Sequence, residues 1–145
     1  MLFKKHLFNS TEKKQIVAAI AAAEMKTSGQ IRVHIEPHCT GDVLVRAAEV
    51  FQKLEMHKTE KRNGVLIYLA YEDKRFAIAG DKSINDVVHP DFWDTTKTEM
   101  SKYFKKGQFE TGVIHGINEA AKHLAVYFPH QAGDKNELSN EISEG

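Results

Sequence analysis

The sequence holds a single cysteine, Cys39, which excludes an internal disulfide and any metal site built on several thiolates. It also lacks an excess of charge of either sign. Twenty Lys and Arg side chains face twenty Asp and Glu, a formal net charge of zero, so no global field draws the chain to nucleic acid or to an anionic membrane. No apolar run approaches the ~18 residues of a membrane span. The segment Met1 to Phe8 carries charges, but Asn9 to Gln15 is polar where a signal peptide needs an apolar stretch. There is no Gly-rich phosphate loop and no G-x-S-x-G elbow, and internal repeats and low-complexity tracts are missing. These absences leave a soluble, cytoplasmic, monomeric protein as the expectation, with neither nucleic acid nor membrane as partner. At 145 residues one domain can bury a core without disulfides.

What is present is organised around one stretch. Arg62-Asn63 leads into the apolar run Gly64 to Tyr71, which suits a strand buried on both faces. The polar tetrad Glu72 to Arg75 reads as a turn, and Phe76 to Gly80 as a second strand antiparallel to the first. Upstream, Asn9 and Glu12 have capping-box spacing for a helix of about Ser10 to Met25, with Ile16, Ala19, Ile20 and Ala23 on one face. Ile31, Val33 and Ile35 then alternate with Arg32, His34 and Glu36 as in a strand with one polar face, which Pro37 ends. Asp42 can cap a second helix with an apolar stripe from Val43 to Leu54. Strand, helix and strand make a right-handed βαβ unit with parallel strands, so the sheet is mixed.

After Asp81 the pattern predicts a loop or short helical turn, then a helix capped by Asp91 and stopped by Gly107, and a last helix from about Thr111 to before Pro129. Gly112 and Gly116, four apart, mark close helix packing. Residues 1–129 form the single domain on this reading, and 130–145 an acidic, disordered tail.

The strand directions bring the start of Gln30, the pair Arg62-Asn63 and the pair Gly80-Asp81 to one end of the sheet. With Asp86 and Asp91 nearby, that end gathers oxygen-bearing side chains of the kind Ca²⁺ or Mg²⁺ require. The competing constellation is His34-x-Glu36-x-His38, whose alternate residues share a strand face and suit a transition metal, although Pro37 interrupts it and no fourth ligand accompanies it. His57, His89, His115 and His123 are scattered and read as surface or helix-flank residues. Cys39 has no companion base fixed near it and reads as a passive thiol.

Four short pieces carry a resemblance: Thr27-Ser28-Gly29-Gln30-Ile31-Arg32-Val33, Arg62-Asn63-Gly64-Val65-Leu66-Ile67-Tyr68, Ile78-Ala79-Gly80-Asp81-Lys82-Ser83-Ile84-Asn85 and Phe109-Glu110-Thr111-Gly112-Val113. In order and spacing the chain resembles the TPM domain family, also called the TPM phosphatase family, over about residues 9 to 129. The resemblance implies a three-layer α/β/α sandwich around a mixed sheet of about four strands. It implies a divalent-cation site, often for calcium, in acidic loops, with Asp81, Asp86 and Asp91 as the matching metal ligands here. Gln30, Arg62, Asn63 and Lys82 would then support the ion or hold phosphate. It also implies an acid-phosphatase activity reported for plant relatives. Gln30 stands where related sequences commonly have Glu, and Ser83 where the stand-alone branch often has glycine. The signal peptide and membrane helix of many relatives are not seen. The expected function is accordingly regulatory or interaction-based cation binding, with a metal-assisted phosphomonoesterase as the alternative and an unidentified protein as a further partner. Arg32, His34 and Glu36, or the acidic tail, would meet that partner.

Overall fold

Asn9 opens the first helix as the spacing predicts: its side chain accepts from the Glu12 amide while the Glu12 carboxylate accepts from the Asn9 amide. That reciprocal cap starts α1, Ser10–Glu24, in a computed structural model that describes residues 7–145. The leader reading of residues 1–6 lies outside the described residues. β1, Gln30–Glu36, is followed by α2, Val43–Lys53, whose cap is Asp42, and by β2, Gly64–Ala70. β3, Arg75–Gly80, returns antiparallel to β2. Three further helices follow, α3 at Lys82–Val87, α4 at Asp94–Lys105 and α5 at Phe109–Tyr127. A two-residue strand, β4 at Ser143–Glu144, completes a sheet of order β3-β2-β1-β4. β1 and β2 are parallel, as a βαβ crossover requires.

β2 is buried along its whole length, and alternation along it divides the core in two. Val65, Ile67 and Leu69 join Ile16 and Ile20 of α1, Met100 and Phe104 of α4, and Ile117, Ala121 and Leu124 of α5. Leu66, Tyr68 and Ala70 face the opposite way, onto Ala47, Val50 and Phe51 of α2. The result is an α/β/α arrangement around a mixed sheet.

Two sequence expectations meet a different outcome. Asp91 does not cap α4: its carboxylate is bonded to His89 Nδ1, and the helix begins at Asp94 after a turn closed by the Asp94 amide on the Asp91 carbonyl. With the Asp91 carboxylate held by His89, no side chain caps the helix, and it starts after Trp93, which is buried in the core. The composition after Pro129 predicts a disordered acidic tail, yet that segment lies along the sheet. Gln30 Nε2 donates to the Lys135 carbonyl at 2.9 Å, and Gln30 Oε1 accepts from the Glu137 and Leu138 amides at 2.9 and 3.2 Å. Leu138 is buried among the α2-side core residues, and β4 pairs with the edge of β1. The net negative charge of that segment masked one buried leucine and a main chain with a partner for its hydrogen bonds.

Candidate functional site

The end of the sheet where β1 and β2 start and β3 finishes is assembled as the strand directions predict. Gln30 pairs with Gly64, and Gly80 with Val65. The Asp81 amide donates to the Gly64 carbonyl and the Ser83 amide to the Arg62 carbonyl, tying the two loops together. Gly80 is packed against Ile84: a Cβ there would stand 3.1 Å from Ile84 Cγ2. Asp81 caps α3 through the Lys82 amide at 2.7 Å.

Arg62 holds a left-handed backbone, φ 52°, a conformation that costs a non-glycine residue about 1 kcal/mol or more. Its guanidinium lies bidentate on Asp81, Nε to Oδ2 at 2.8 Å and Nη2 to Oδ1 at 2.9 Å. The Asp81 side chain is 5% exposed and that of Arg62 is 44% exposed. The pair thus presents a nearly buried carboxylate under a guanidinium that solvent reaches. The hydrogen bonds to Asp81 raise the arginine's pKa above its usual value.

Beside this pair opens a cleft of about 460 Å³, lined by His57, Arg62, Asp81, Lys82, Asn85 and Asp86 among others. His57 Nδ1 is buried without a hydrogen-bond partner. Asp86 is exposed at the cleft, whereas Asp91, on the loop before α4, is not among the lining residues. The structure therefore places two of the three predicted metal-ligand residues on one cleft and the third away from it. Of the supporting residues, Arg62 and Lys82 are at the cleft. Asn63 is buried with its Nδ2 donating to Ser28 Oγ at 3.3 Å, and Gln30 is spent on the tail.

The competing strand constellation is a closed polar network. His34 and Glu36 are each 6% exposed, which covers two of the three residues expected to meet a partner, while Arg32 is half-buried. Glu36 takes two bonds from Arg46, at 2.8 and 2.9 Å, one from His34 Nε2 at 3.0 Å and one from the Tyr68 hydroxyl. The Arg46 bonds chiefly lower the Glu36 carboxyl to about 2, against a smaller opposing effect of burial. Burial lowers the pKa of His34 and raises that of Tyr68. With every Glu36 oxygen committed, this is a structural linchpin between β1, β2 and α2. His38 leaves the group altogether and pairs with Asp73 and Glu72.

Sequence reasoning overlooked the group that does come together. Among the described residues, Glu99 of α4 and His115 and Glu119 of α5 bring one ligand atom each to within 4.8 Å of one another. The i, i+4, i+8 spacing of His115, Glu119 and His123 was the available signal for one face of α5. Glu99, sixteen residues before His115, could be added only by the helix pairing.

Comparison with known proteins places the chain beside one family. A family model described as TPM domain matches residues 3–123. The chain is similar to the BA42 protein of the psychrophilic bacterium Bizionia argentinensis, solved by NMR, with 50% identity, full coverage of both chains and a TM-score of 0.92. The N-terminal domain of the cg2496 protein of Corynebacterium glutamicum, also solved by NMR, shares 14% identity. It covers 95% of this chain and 81% of its own at a TM-score of 0.60, a likeness of fold alone. No curated protein matches.

Proposed function

The chain belongs to the TPM domain family, and from that premise we propose that it is a binding module for a divalent cation, Ca²⁺ or Mg²⁺, with a regulatory rather than a catalytic output. Asp81 and Asp86 would hold the ion at the sheet-end cleft, with the Asn85 side-chain oxygen as a further donor. Asp91 is left out, because it stands on a different loop.

The observation that carries this reading is the guanidinium on Asp81. A nearly buried carboxylate already holds a cation there, and that cation sits on a side chain exposed enough to swing away. The donors at the cleft are carboxylate and amide oxygens, the hard ligands that Ca²⁺ and Mg²⁺ take. An entering ion would replace Arg62 and release its strained loop, which gives binding a conformational consequence without chemistry.

Calorimetric titration with each ion tests the proposal through two substitutions of opposite sign. Asp81→Asn removes the inner ligand and weakens binding by at least about tenfold, roughly 1.4 kcal/mol. Arg62→Ala tightens it, because the substitution leaves the nearly buried Asp81 carboxylate without its cation, a place the ion then takes. Absence of heat with the wild-type protein, or weaker binding by Arg62→Ala, would sink the reading.

A second reading, metal-assisted phosphomonoester hydrolysis, draws on Lys82 and His57, which line the same cleft and would face a phosphate. It expects turnover of p-nitrophenyl phosphate that depends on added metal and disappears in Asp81→Asn. Turnover that survives that substitution comes from elsewhere.

A further inference from the structure

We infer that the chain carries a second metal site, on the outer face of the α4–α5 helix pair, for a divalent transition ion of the zinc type. It shares no residue with the sheet-end cleft and does not depend on the proposal made for that cleft.

The site is built by packing. Gly112 and Gly116 let α5 approach α4 so closely that a Cβ on Gly116 would stand 2.6 Å from Met100 Cε, and one on Gly112 2.5 Å from Phe104 Cε1. Met100 and Gly116 meet in the core, and their sequence neighbours Glu99 and His115 meet at its rim. His115 Nε2 is hydrogen-bonded to Glu99 Oε2. Glu119, one turn further along α5, brings its carboxylate into the same group, and all three ligand atoms lie within 4.8 Å of one another. A tetrahedral ion with bonds of ~2.0–2.1 Å holds its ligands ~3.4 Å apart, so small side-chain rotations close the set.

Two further features support a ligand set rather than a solvated cluster. The side chains of His115, Glu119 and Glu99 are 23%, 26% and 38% exposed, so the three are held against the helix pair rather than extended into solvent. His123, on the following turn, reaches Glu119 Oε2 through Nε2 at 3.4 Å and can move in as a fourth ligand.

The donor set selects the ion. One or two imidazole nitrogens with two carboxylates suit Zn²⁺ and its neighbours, whereas Ca²⁺ prefers an all-oxygen shell of six to eight ligands. Binding would replace the hydrogen bond between His115 Nε2 and Glu99 Oε2, and because protons compete with a metal for imidazole and carboxylate ligands, uptake weakens in acid. It would also stitch α4 to α5 at their exposed edge.

Zinc titration of the full chain under saturating Ca²⁺, followed by calorimetry and by thermal unfolding, tests the site. The expected result is one zinc equivalent and a rise in Tm that Ca²⁺ alone does not give. His115→Ala and Glu99→Gln should each weaken zinc binding by at least about tenfold, the scale set by losing a metal-orienting group. Glu99→Gln keeps the shape of the side chain, so it reads the site even if His115→Ala fails to fold. His89→Gln removes an exposed histidine paired with Asp91 and should change nothing. Zinc uptake that survives Glu99→Gln, or that vanishes in His89→Gln, would mean that exposed histidines take the metal and would overturn the site; so would a wild-type protein that takes up none.

Discussion

Two glutamates show how far a single side chain's environment decides its contribution. Glu36 meets Arg46, His34 and Tyr68, and its carboxyl falls to about 2. Glu24, at the end of α1, is half-buried against the tail, and that burial outweighs the hydrogen bonds from the Ile31 amide and Asn140, so its carboxyl rises from the usual 4.5 to about 7. The two act on stability in opposite pH windows. Glu36 contributes fully above about pH 4.5, and its contribution is lost as pH falls towards 2. Glu24 binds its proton more tightly folded than unfolded, so its contribution is complete below about 4.5 and is lost as pH rises through 7. Glu24→Gln keeps an oxygen for the Ile31 amide and removes the charge. It should match the wild type in urea midpoint at pH 4.5 and exceed it at pH 8 by about 1–2 kcal/mol, the linkage value reduced for solvent access. A variant no more stable than wild type at pH 8 would show that Glu24 ionises without cost. Neither role was legible in the sequence. Glu24 ended an amphipathic pattern like any surface glutamate, and Glu36 occupied the polar half of an alternating strand. Only the docking of α2 and of the tail buries them.

At the scale of elements the sequence was more informative, because caps and periodicity are local. The Asn9 and Glu12 box, the Asp42 cap and the wholly apolar β2 are found as the residues imply. The glycine pair of α5 was legible as a packing feature, and the structure distinguishes its members. At Gly112 an added Cβ meets the Phe104 ring at 2.5 and 2.9 Å and Tyr103 Cβ at 3.1 Å, all parts of α4 that cannot yield separately. At Gly116 the obstacle is the end of Met100, with Cε and Sδ at 2.6 and 2.7 Å, a flexible chain that can turn aside. Alanine gains about 1 kcal/mol of helix propensity at either position. Overpacking of about 1–3 kcal/mol outweighs that gain at Gly112 and is largely relieved at Gly116. Urea unfolding should therefore rank Gly112→Ala clearly below wild type and Gly116→Ala close to it. Equal losses at both would mean that Met100 is as fixed as Phe104. The same pairing explains why the Glu99 and His115 group escaped the sequence: each helix was readable, but the register between them was not.

The whole molecule is closed by contacts that neither element propensity nor charge could show. The chain after Pro129 returns along the sheet, so its last residues lie beside β1 and its middle hooks over Gln30. The Gly145 amide donates to the Ile35 carbonyl, and Gln30 bonds the main chain of Lys135, Glu137 and Leu138. This uses an amide's ability to donate and accept at once. A carboxylate in that place keeps the two acceptor contacts but turns its remaining oxygen towards the Lys135 carbonyl. Gln30, noted in the sequence as a missing carboxylate at the cation site, is thus the residue that fastens the tail to the start of β1. If the tail is one cooperative strap, Gln30→Glu should loosen its far end as well as the hook. A lost hydrogen bond with repulsion between oxygens costs about 1–3 kcal/mol. Hydrogen exchange of the Gly145 amide should then accelerate by roughly tenfold or more, while β2 amides such as that of Ile67 stay protected to the level of global unfolding. If exchange quickens at Leu138 but not at Gly145, β4 is held by its own pairing with β1, and the tail is two independent contacts rather than one strap.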